Sequence, residues 1–187
     1  MAIDRTSLIQ HALRILDAEG AEALTIRRIA EAAGTSTQAI YTGFGGKTGL
    51  LALLRDVAWD ALDEAGRRHE RSASGIARVV EVGLSFGRAA RRAPNRYALC
   101  VVALGDDGSL GAPSCLRAAI TDAVAEGTIR SDGADRALDL CWGALRGGLA
   151  LAFEGYLRGD ARVEAHLRAA LAAALAPSWH NPGASSR

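Results

Sequence analysis

Apolar residues recur every three or four positions through most of the chain, and glycine or proline separates the stretches that carry this pattern. In residues 5–19, for example, Leu8, Ala12 and Ile15 form one stripe of an amphipathic helix. β-branched residues never alternate with polar ones as they do in strands. We therefore predict an all-α fold of about nine helices: 5–19, a short helix between Thr25 and Gly34, 36–42, 47–70, 75–92, 94–105, 113–127, 133–157 and 160–175.

The helical pattern predicts a division of the chain into a small head, residues 1–46, a larger helical body, residues 47–176, and a disordered tail, residues 177–187. The second and third helices are too short to be stable alone, so they must pack against the first and fourth. The start, "MAIDRTSLIQHA", does not resemble a signal peptide, and no run of apolar residues is long enough for a membrane span. We expect a cytoplasmic protein.

Cysteine and histidine usage excludes several kinds of site. Cys100, Cys115 and Cys141 are widely spaced, which is typical neither of a disulfide framework nor of a paired-cysteine metal motif. They are interpreted as buried thiols, with redox sensing as the alternative. The four histidines are scattered. We predict no metal site and no cofactor.

The third predicted helix carries an unusually polar stripe. In "AGTSTQAIYTGF", residues 33–44, the side chains of Thr37, Gln38, Tyr41 and Thr42 fall within an arc of about 140° that faces away from Ile40. Two short helices joined by a glycine turn have the outline of a helix-turn-helix unit. Gln and Thr side chains can contact base edges, whereas Tyr suits phosphate oxygens. The alternative is a solvent-facing helix of an unrelated bundle.

The region "RTSLIQHALRILDAEGAEALTIRRIAEAAGTSTQAIYTGFGGKTGLL", residues 5–51, resembles the amino-terminal domain of the TetR family of bacterial transcriptional regulators. The elements that carry the resemblance are "EG", "LTIRRIA", "AG.S..AIY..F" and "GK..LL". The resemblance implies a DNA-binding head on a helical regulatory body. It also implies a homodimer whose two recognition helices enter successive major grooves of a near-palindromic operator.

The same resemblance implies which head residues contact DNA. The positions that contact bases in the family correspond to Arg27, Thr37, Gln38, Ala39 and Thr42, and those that contact the backbone correspond to Thr25, Ser36, Tyr41 and Lys47. Ile29, Ala33, Ile40 and Phe44 would form the core of the head.

Gly43 departs from the family pattern, which usually has a large side chain directly before the Phe. A phosphate contact should therefore be missing, and the helix end is weakened by roughly 1 kcal/mol relative to Ala. Residues 65–100 contain eight Arg against two acids, a net charge of +6. This region compensates for the missing contact if it faces DNA. The alternative is a solvated face, or ion pairs with head acids such as Asp17 and Glu19.

The last two helices carry apolar stripes that could form a core, a dimer interface or both. In the family these helices usually build a four-helix interface between two subunits, and "CWGALRGGLALAFEGYL" resembles the Trp-containing C-terminal regulatory domain of one branch. Gly143, Gly147 and Gly148 lie beside the first stripe and would allow another helix to approach closely. The predicted interface residues are Leu138, Leu145, Leu149, Ala152, Tyr156, Val163, Leu167 and Leu171.

Large or polarisable residues of the body are candidates for a ligand pocket, because ligand sites are mostly apolar with a few fixed polar groups. Each could instead belong to the core. Arg146, one turn after Trp142, would suit an anionic or carbonyl-bearing ligand. The pocket candidates are Trp59, Phe86, Tyr97, Cys100, Leu104, Trp142, Arg146 and Phe153.

Three functions compete. A DNA-binding repressor released from its operator by a small-molecule effector agrees with the head and the body. An enzyme built in a helical bundle lacks support, because the chain has no metal-binding Glu-x-x-His, no nucleophile motif and no glycine-rich phosphate loop. The third is a regulator switched by cysteine oxidation or by a protein partner instead of a small ligand.

Overall fold

The computed structural model describes residues 5–68, 73–102 and 111–176, and this part of the chain contains nine α-helices and no strand. Two short 3-10 turns, Ala21–Ala23 and Ser131–Gly133, accompany them. The helices are α1 (Arg5–Glu19), α2 (Ile26–Ala32), α3 (Thr37–Phe44), α4 (Gly46–Arg67), α5 (Gly75–Arg92), α6 (Pro94–Val102), α7 (Ser114–Ala125), α8 (Ala134–Phe153) and α9 (Asp160–Ala174).

The all-α prediction is confirmed, and the bounds of α1 and α5 agree with those predicted. The clearest difference is at α8, which was expected to reach residue 157 and ends at Phe153. Gly155 adopts a positive φ of 82°, and the amides of Tyr156 and Leu157 both donate to the carbonyl of Leu151. This hydrogen-bonded turn satisfies the last helical carbonyls and ends α8.

The described residues form two compact units. The first contains α1, α2, α3, α6 and α4 as far as Ala61, and the second contains the end of α4 together with α5, α7, α8 and α9. The boundary between the two compact units therefore falls inside α4, whereas the sequence predicted a boundary between a DNA-binding head and a regulatory body at residues 46 and 47. That functional division stays a prediction, and the predicted tail, 177–187, lies outside the described residues.

The first unit is built on an apolar core shared by its short and long helices. Ile29 and Ile40, which anchor α2 and α3, are 1% and 0% exposed. Burial of this kind stabilises helices of seven and eight residues that would not persist alone. The core consists of Leu8, Ala12, Leu13, Leu16, Leu24, Ile29, Ala30, Ile40, Phe44, Leu50, Leu54 and Leu99.

Helix α6 is attached to the end of α1 by polar groups. Arg96 donates through Nε and Nη2 to the two carboxylate oxygens of Asp17, at 2.7 and 2.6 Å. Asn95 donates its amide to the backbone carbonyl of Asp17 at 3.0 Å. Such a two-pronged guanidinium–carboxylate pair fixes orientation as well as proximity. The predicted pairing of the arginine-rich region with Asp17 is therefore confirmed for Arg96.

In the second unit α5 packs against α7, α8 and α9. Two glycines of α5 allow α9 to come close: a Cβ on Gly83 would meet Leu171, and a Cβ on Gly87 would meet Leu167. Gly148 of α8 likewise lies against Leu167. Helices that approach over glycine bury the leucines between them, so these small residues set the spacing of the second unit.

A buried carboxylate joins the end of α4 to the start of α7. Asp63 is 3% exposed, and its oxygens accept hydrogen bonds from the Cys115 amide at 2.8 Å, from Arg67 at 2.5 Å and from the Ser114 hydroxyl. Burial by itself would raise the pKa of Asp63, but these hydrogen bonds outweigh it and hold the pKa below its usual value. Asp63 thus supplies from another helix the N-terminal cap that Pro113 cannot provide for α7.

Candidate nucleic-acid interface

Residues directly before and after helix α3 cap its two ends. At the start, the hydroxyl of Ser36 accepts a hydrogen bond from the amide of Ala39 at 3.1 Å. At the end, Gly45 takes the left-handed conformation with φ of 72°, and its amide donates to the carbonyl of Tyr41 at 3.0 Å. These caps satisfy terminal backbone groups and hold the helix to eight residues.

The polar stripe of α3 faces solvent because the opposite face is buried. Ile40 and Phe44 are 0% and 9% exposed, whereas Thr37, Gln38 and Thr42 are exposed and Ala39 is half-buried. The ring of Tyr41 is 56% exposed, unusual for a large aromatic side chain. The structure therefore brings the predicted α3 residues together on one accessible surface.

Fewer hydrogen-bond donors are available on this surface than the sequence suggests. Thr42 donates its hydroxyl hydrogen to the carbonyl of Gln38 at 3.0 Å, one turn earlier in α3. The hydroxyl lone pairs and the methyl group of Thr42 stay available. Gln38 keeps both its amide donors and its carbonyl acceptor, so it is the most versatile hydrogen-bonding side chain on the stripe.

Helix α2 presents two further predicted residues beside the stripe. The Thr25 hydroxyl accepts from the Arg28 amide at 3.3 Å, which caps α2 and leaves the hydroxyl hydrogen free to donate. Arg27 pairs with Glu31 at 2.9 Å, and both side chains are largely exposed. Since an exposed pair of this kind contributes little stability, Arg27 can leave Glu31 for another anion at low cost.

The turn between α3 and α4 positions Tyr41 and Lys47. Gly46 has a φ of 79°, and a Cβ at this position would lie 3.0 Å from the Tyr41 ring. The ring therefore packs directly on the backbone of the turn, and Lys47 follows it as an exposed cation in the first turn of α4. Gly49 is equally constrained, because its Cβ would clash with the carbonyl of Phe44. The roles of Gly46 and Gly49 were not predicted from the sequence, although the spacing "GFGGKTG" is a visible signal.

Most arginines of residues 65–100 are paired with acids of the unit to which they belong. Arg67 pairs with Asp63 and Glu64, Arg78 with Asp122 and Glu126, Arg88 with Glu164, and Arg91 with Asp160. Glu19, the other suggested partner, pairs with Arg28 of the first unit. Arg68 and Arg92 are exposed, and Arg71 lies outside the described residues. The region therefore does not form a continuous cationic surface in the described part of the chain.

In the second unit, the predicted pocket residues Phe86, Trp142 and Arg146 lie close together. The rings of Phe86 and Trp142 meet edge to face with centroids 5.8 Å apart, and the Arg146 guanidinium carbon lies 5.7 Å from the Trp142 ring. Phe86 is fully buried, whereas Trp142 and Arg146 are half-buried. Phe153 is 43% exposed at the end of α8.

The other pocket candidates belong to the first unit. Tyr97 and Cys100 are buried in α6, the Cys100 thiol donates to the carbonyl of Arg55 at 3.6 Å, and Trp59 on α4 is half-buried. Burial raises the pKa of Cys100 to about 12, and it does the same for Cys141 in the second unit. Leu104 lies outside the described residues.

Six of the predicted interface residues lie in the core of the second unit, which was one of the alternatives for these apolar stripes. Each is at most 5% exposed, and a part in a dimer interface stays a prediction for Leu138, Leu145, Leu149, Val163, Leu167 and Leu171. Ala152 is half-buried and Tyr156 is 71% exposed. The neighbouring face of α8 is the accessible one: Leu140 and Leu151 are 40% and 38% exposed, with Gly143 and Gly147 between them.

Sites of other kinds are absent from the described residues. Residues 5–68, 73–102 and 111–176 contain no group of three or more His, Cys, Asp or Glu side chains arranged to hold a metal ion. Within those same ranges no helix has the length and apolar content that crossing a bilayer demands.

Comparison of the sequence with known proteins gives matches over part of the chain. A sequence profile of the family described as "Bacterial regulatory proteins, tetR family" matches residues 8–54. The regulator HTH-type transcriptional regulator BetI 1 of Chromohalobacter salexigens is 45% identical over 67 residues. This alignment covers 35% of the chain and 33% of the length of that relative.

Solved structures resemble nearly the whole chain in fold. A protein of unknown function from Rhodococcus sp. RHA1 has a TM-score of 0.73 at 24% identity, over 91% of this chain and 93% of that one. A TetR family transcription regulator from Marinobacter aquaeolei VT8 has a TM-score of 0.66 at 16% identity, over 90% and 94% of the two chains. At these identities the likeness concerns the fold.

The fold, the exposed polar helix and the profile match at residues 8–54 agree with one another. Residues 8–54 are therefore similar to the tetR family of bacterial regulatory proteins, and nearly the whole chain shares the fold of the Marinobacter aquaeolei regulator.

Proposed function

We propose that the protein is a sequence-specific DNA-binding repressor that acts as a homodimer in the cytoplasm and leaves a near-palindromic operator when a small molecule binds. The observation that carries the proposal is the surface of α3, where Thr37, Gln38 and Thr42 are exposed on a helix capped at both ends and anchored by Ile40 and Phe44. A rigid helix with free polar side chains can enter a major groove and contact base edges.

Contacts to the DNA backbone are proposed for residues that surround this surface. Tyr41 and Lys47 lie at the end of α3 and the start of α4, and the capping hydroxyls of Thr25 and Ser36 lie at the starts of α2 and α3. Hydroxyl groups and cations of this kind bind phosphate oxygens. Arg27 would exchange Glu31 for a base or a phosphate.

The dimer interface is proposed on the exposed face shared by α8 and α9. Gly148 of α8 contacts Leu167 and His166 of α9, so the two helices lie side by side. On the solvent side of this pair α8 exposes Leu140, Gly147 and Leu151, and a Cβ on Gly143 or Gly147 would meet nothing within 4 Å. Exposed leucines flanking small residues allow close helix packing against a second copy.

The effector site is proposed around Trp142 in the second unit. The edge-to-face pair with Phe86 supplies an apolar wall, and Arg146 beside Trp142 supplies a cation for an anionic or carbonyl-bearing ligand. Such a ligand would release DNA only by the difference between its affinities for the two states of the protein.

Cysteine oxidation is the weaker alternative, because the thiols that would react are buried. The pKa values of Cys100 and Cys141 are raised to about 12 by burial, so almost no thiolate forms near neutral pH. Cys115 is also fully buried. Regulation by a small ligand or a protein partner does not require a reactive thiolate.

The decisive experiment is selection of a preferred duplex from a random-sequence DNA library, followed by comparison of Gln38→Ala with Gln10→Ala. Gln10 is an exposed glutamine on α1 and serves as the control. We expect Gln38→Ala to cost roughly 1–3 kcal/mol on the selected duplex and to spare arbitrary DNA. Equal losses on both duplexes, or failure to enrich any sequence, would contradict base contact by Gln38.

Dimerisation and effector binding need separate measurements. Leu151→Glu should convert a dimer to a monomer in analytical ultracentrifugation, whereas Ala77→Glu on the exposed part of α5 should not. Persistence of the dimer in Leu151→Glu would place the interface elsewhere.

A screen of small molecules by thermal shift should find compounds that stabilise the protein but lose this effect in Arg146→Ala.

A further inference from the structure

Arg5 lies against the polar surface of α3 although it is far from α3 in the sequence. The guanidinium carbon of Arg5, the first residue of α1, sits 4.8 Å from the centroid of the Phe44 ring at the end of α3. Both residues line a groove of about 510 Å³ that also includes Ser36, Gln38, Ala39, Thr42 and Gly43. Three of these groove residues are among the predicted base-contacting side chains.

Helix stability does not explain an arginine at this position. A cation at the start of a helix faces the positive end of the helix dipole, which disfavours it, and the first turn of α1 has no acidic residue. Across the described residues no carboxylate lies within salt-bridge distance of Arg5. The Phe44 ring is therefore the contact that orients the guanidinium.

A cation–π contact holds the charge without using its hydrogen-bond donors. The Arg5 side chain is exposed, and within residues 5–68, 73–102 and 111–176 no acceptor occupies its five N–H donors, so they can bind anionic oxygens. An arginine whose position is fixed but whose donors are free is suited to phosphate, which it can bind through two parallel hydrogen bonds.

Gly43 leaves space in the groove beside Arg5. It is half-buried in α3 and lines the same groove as Arg5, so α3 extends no side chain into the groove at that position. The resemblance of residues 5–51 to the TetR family predicts that a phosphate contact is missing at Gly43. Arg5 brings a cation to the same groove from another helix.

We propose that Arg5 is a further DNA-contacting residue, which binds a backbone phosphate at the edge of the α3 surface and replaces the contact that Gly43 lacks. The proposal rests on the proposed function, because it assumes that α3 enters a groove of DNA. A phosphate contact of this kind adds affinity for any duplex and sets the register of α3 without selecting a base.

The test measures binding of the full chain to a fluorescent duplex of arbitrary sequence and about 20 base pairs at several salt concentrations. Arg5→Ala should weaken binding and lower the salt slope by about 1, since one fewer counterion is released. Arg14→Ala is the matched control: Arg14 is an exposed arginine of the same helix, hydrogen-bonded to His11. It should leave the slope unchanged.

Two more variants make the result specific. Arg5→Lys should keep the salt slope but bind more weakly than the wild type, because an ammonium cannot form the paired hydrogen bonds. Gly43→His in the Arg5→Ala background should recover part of the lost affinity, because it returns a polar side chain to the groove. Failure of that rescue would count against replacement of one contact by the other.

Failure of this inference differs from failure of the proposed function. If Lys47→Ala lowers the salt slope and Arg5→Ala does not, the α3 surface binds DNA and the role of Arg5 is wrong. If the wild type binds DNA without salt dependence and neither variant differs from it, the proposed function itself fails, and the Arg5 proposal fails with it.

Discussion

The polar surface of α3 and the arginines of α5 look alike in the sequence, since each puts several hydrogen-bonding side chains on one helix. In the structure they differ. Gln38 and Tyr41 are neutral side chains exposed above a buried apolar face. In α5, Arg78, Arg88 and Arg91 are paired with carboxylates of α7 and α9.

This difference shows that the number of positive charges is a poor guide to nucleic-acid binding. An arginine already paired with a carboxylate must give up that partner before it can bind phosphate, whereas an exposed glutamine, tyrosine or lysine gives up only water. The less basic of the two regions is therefore the better candidate for DNA binding.

The largest expected effect comes from breaking the support beneath the α3 surface. In Gly49→Ala the new methyl group clashes with the carbonyl of Phe44, so the junction of α3 and α4 must shift. We expect a loss of about 3 kcal/mol in the free energy of unfolding, with loss of DNA binding. Urea unfolding and duplex binding measure the two effects.

Gly43→Ala is the control, because it adds the same methyl group inside α3. It should instead raise the free energy of unfolding by roughly 1 kcal/mol. Similar stabilities for the two variants would contradict the steric argument.

The next prediction concerns the inward-directed charges of the second unit. Asp63→Asn places an amide against the donors of Arg67 and Ser114, and we expect a loss of about 2 kcal/mol. The pKa of Asp63 is lowered in the folded state, so its carboxylate stabilises the fold above the unfolded pKa of about 4, and this contribution is lost as the pH falls through the folded value. Thermal melts should show a difference from the wild type that is full near neutral pH and shrinks in acid. A difference that does not change with pH would exclude a carboxylate effect.

A smaller effect compares one exposed cation from each region. Lys47→Ala should lower the salt slope of duplex binding by about 1. Arg92→Ala removes an exposed arginine from the end of α5 and should leave the slope unchanged. Both slopes can be measured by fluorescence anisotropy on the same DNA. A lower slope for Arg92→Ala would show that the arginine-rich region does face DNA.

The smallest effect is expected for the cysteines, where oxidation should change nothing measurable. Because Cys100, Cys115 and Cys141 are buried, an aromatic disulfide reagent should label no thiol of the folded protein near neutral pH, and treatment with peroxide should leave duplex binding unchanged. Labelling after denaturation in urea provides the positive control. Rapid labelling of the native protein together with loss of DNA binding would support the cysteine-switched alternative.

Much of the architecture could be predicted from local patterns. The periodicity predicted about nine helices, and the glycines and prolines between the apolar stretches marked their ends, because turns depend on residues a few positions apart. The exposed stripe of α3 followed from the same reasoning, since Ile40 and Phe44 show which face is buried. The match of a tetR-family profile to residues 8–54 agrees with the resemblance seen in those patterns.

Features that depend on packing between distant segments could not be predicted. The stripes that contain Leu145 and Leu167 left core and dimer interface open, and α5, α8 and α9 bury both residues in the core of one chain. An apolar stripe shows that a helix face is buried but does not show what covers it. In the same way, the sequence could not show that Asp63 caps α7.

The sequence by itself therefore determined the helices, their ends and the polar face of α3, because these depend on hydrogen bonds and periodicity within a few turns of chain. Only the tertiary structure decided which charges are free, which leucines are exposed and where Arg5 lies. The pairs Arg88–Glu164 and Arg5–Phe44 join residues that are far apart in the chain, so their formation depends on how the helices pack against each other.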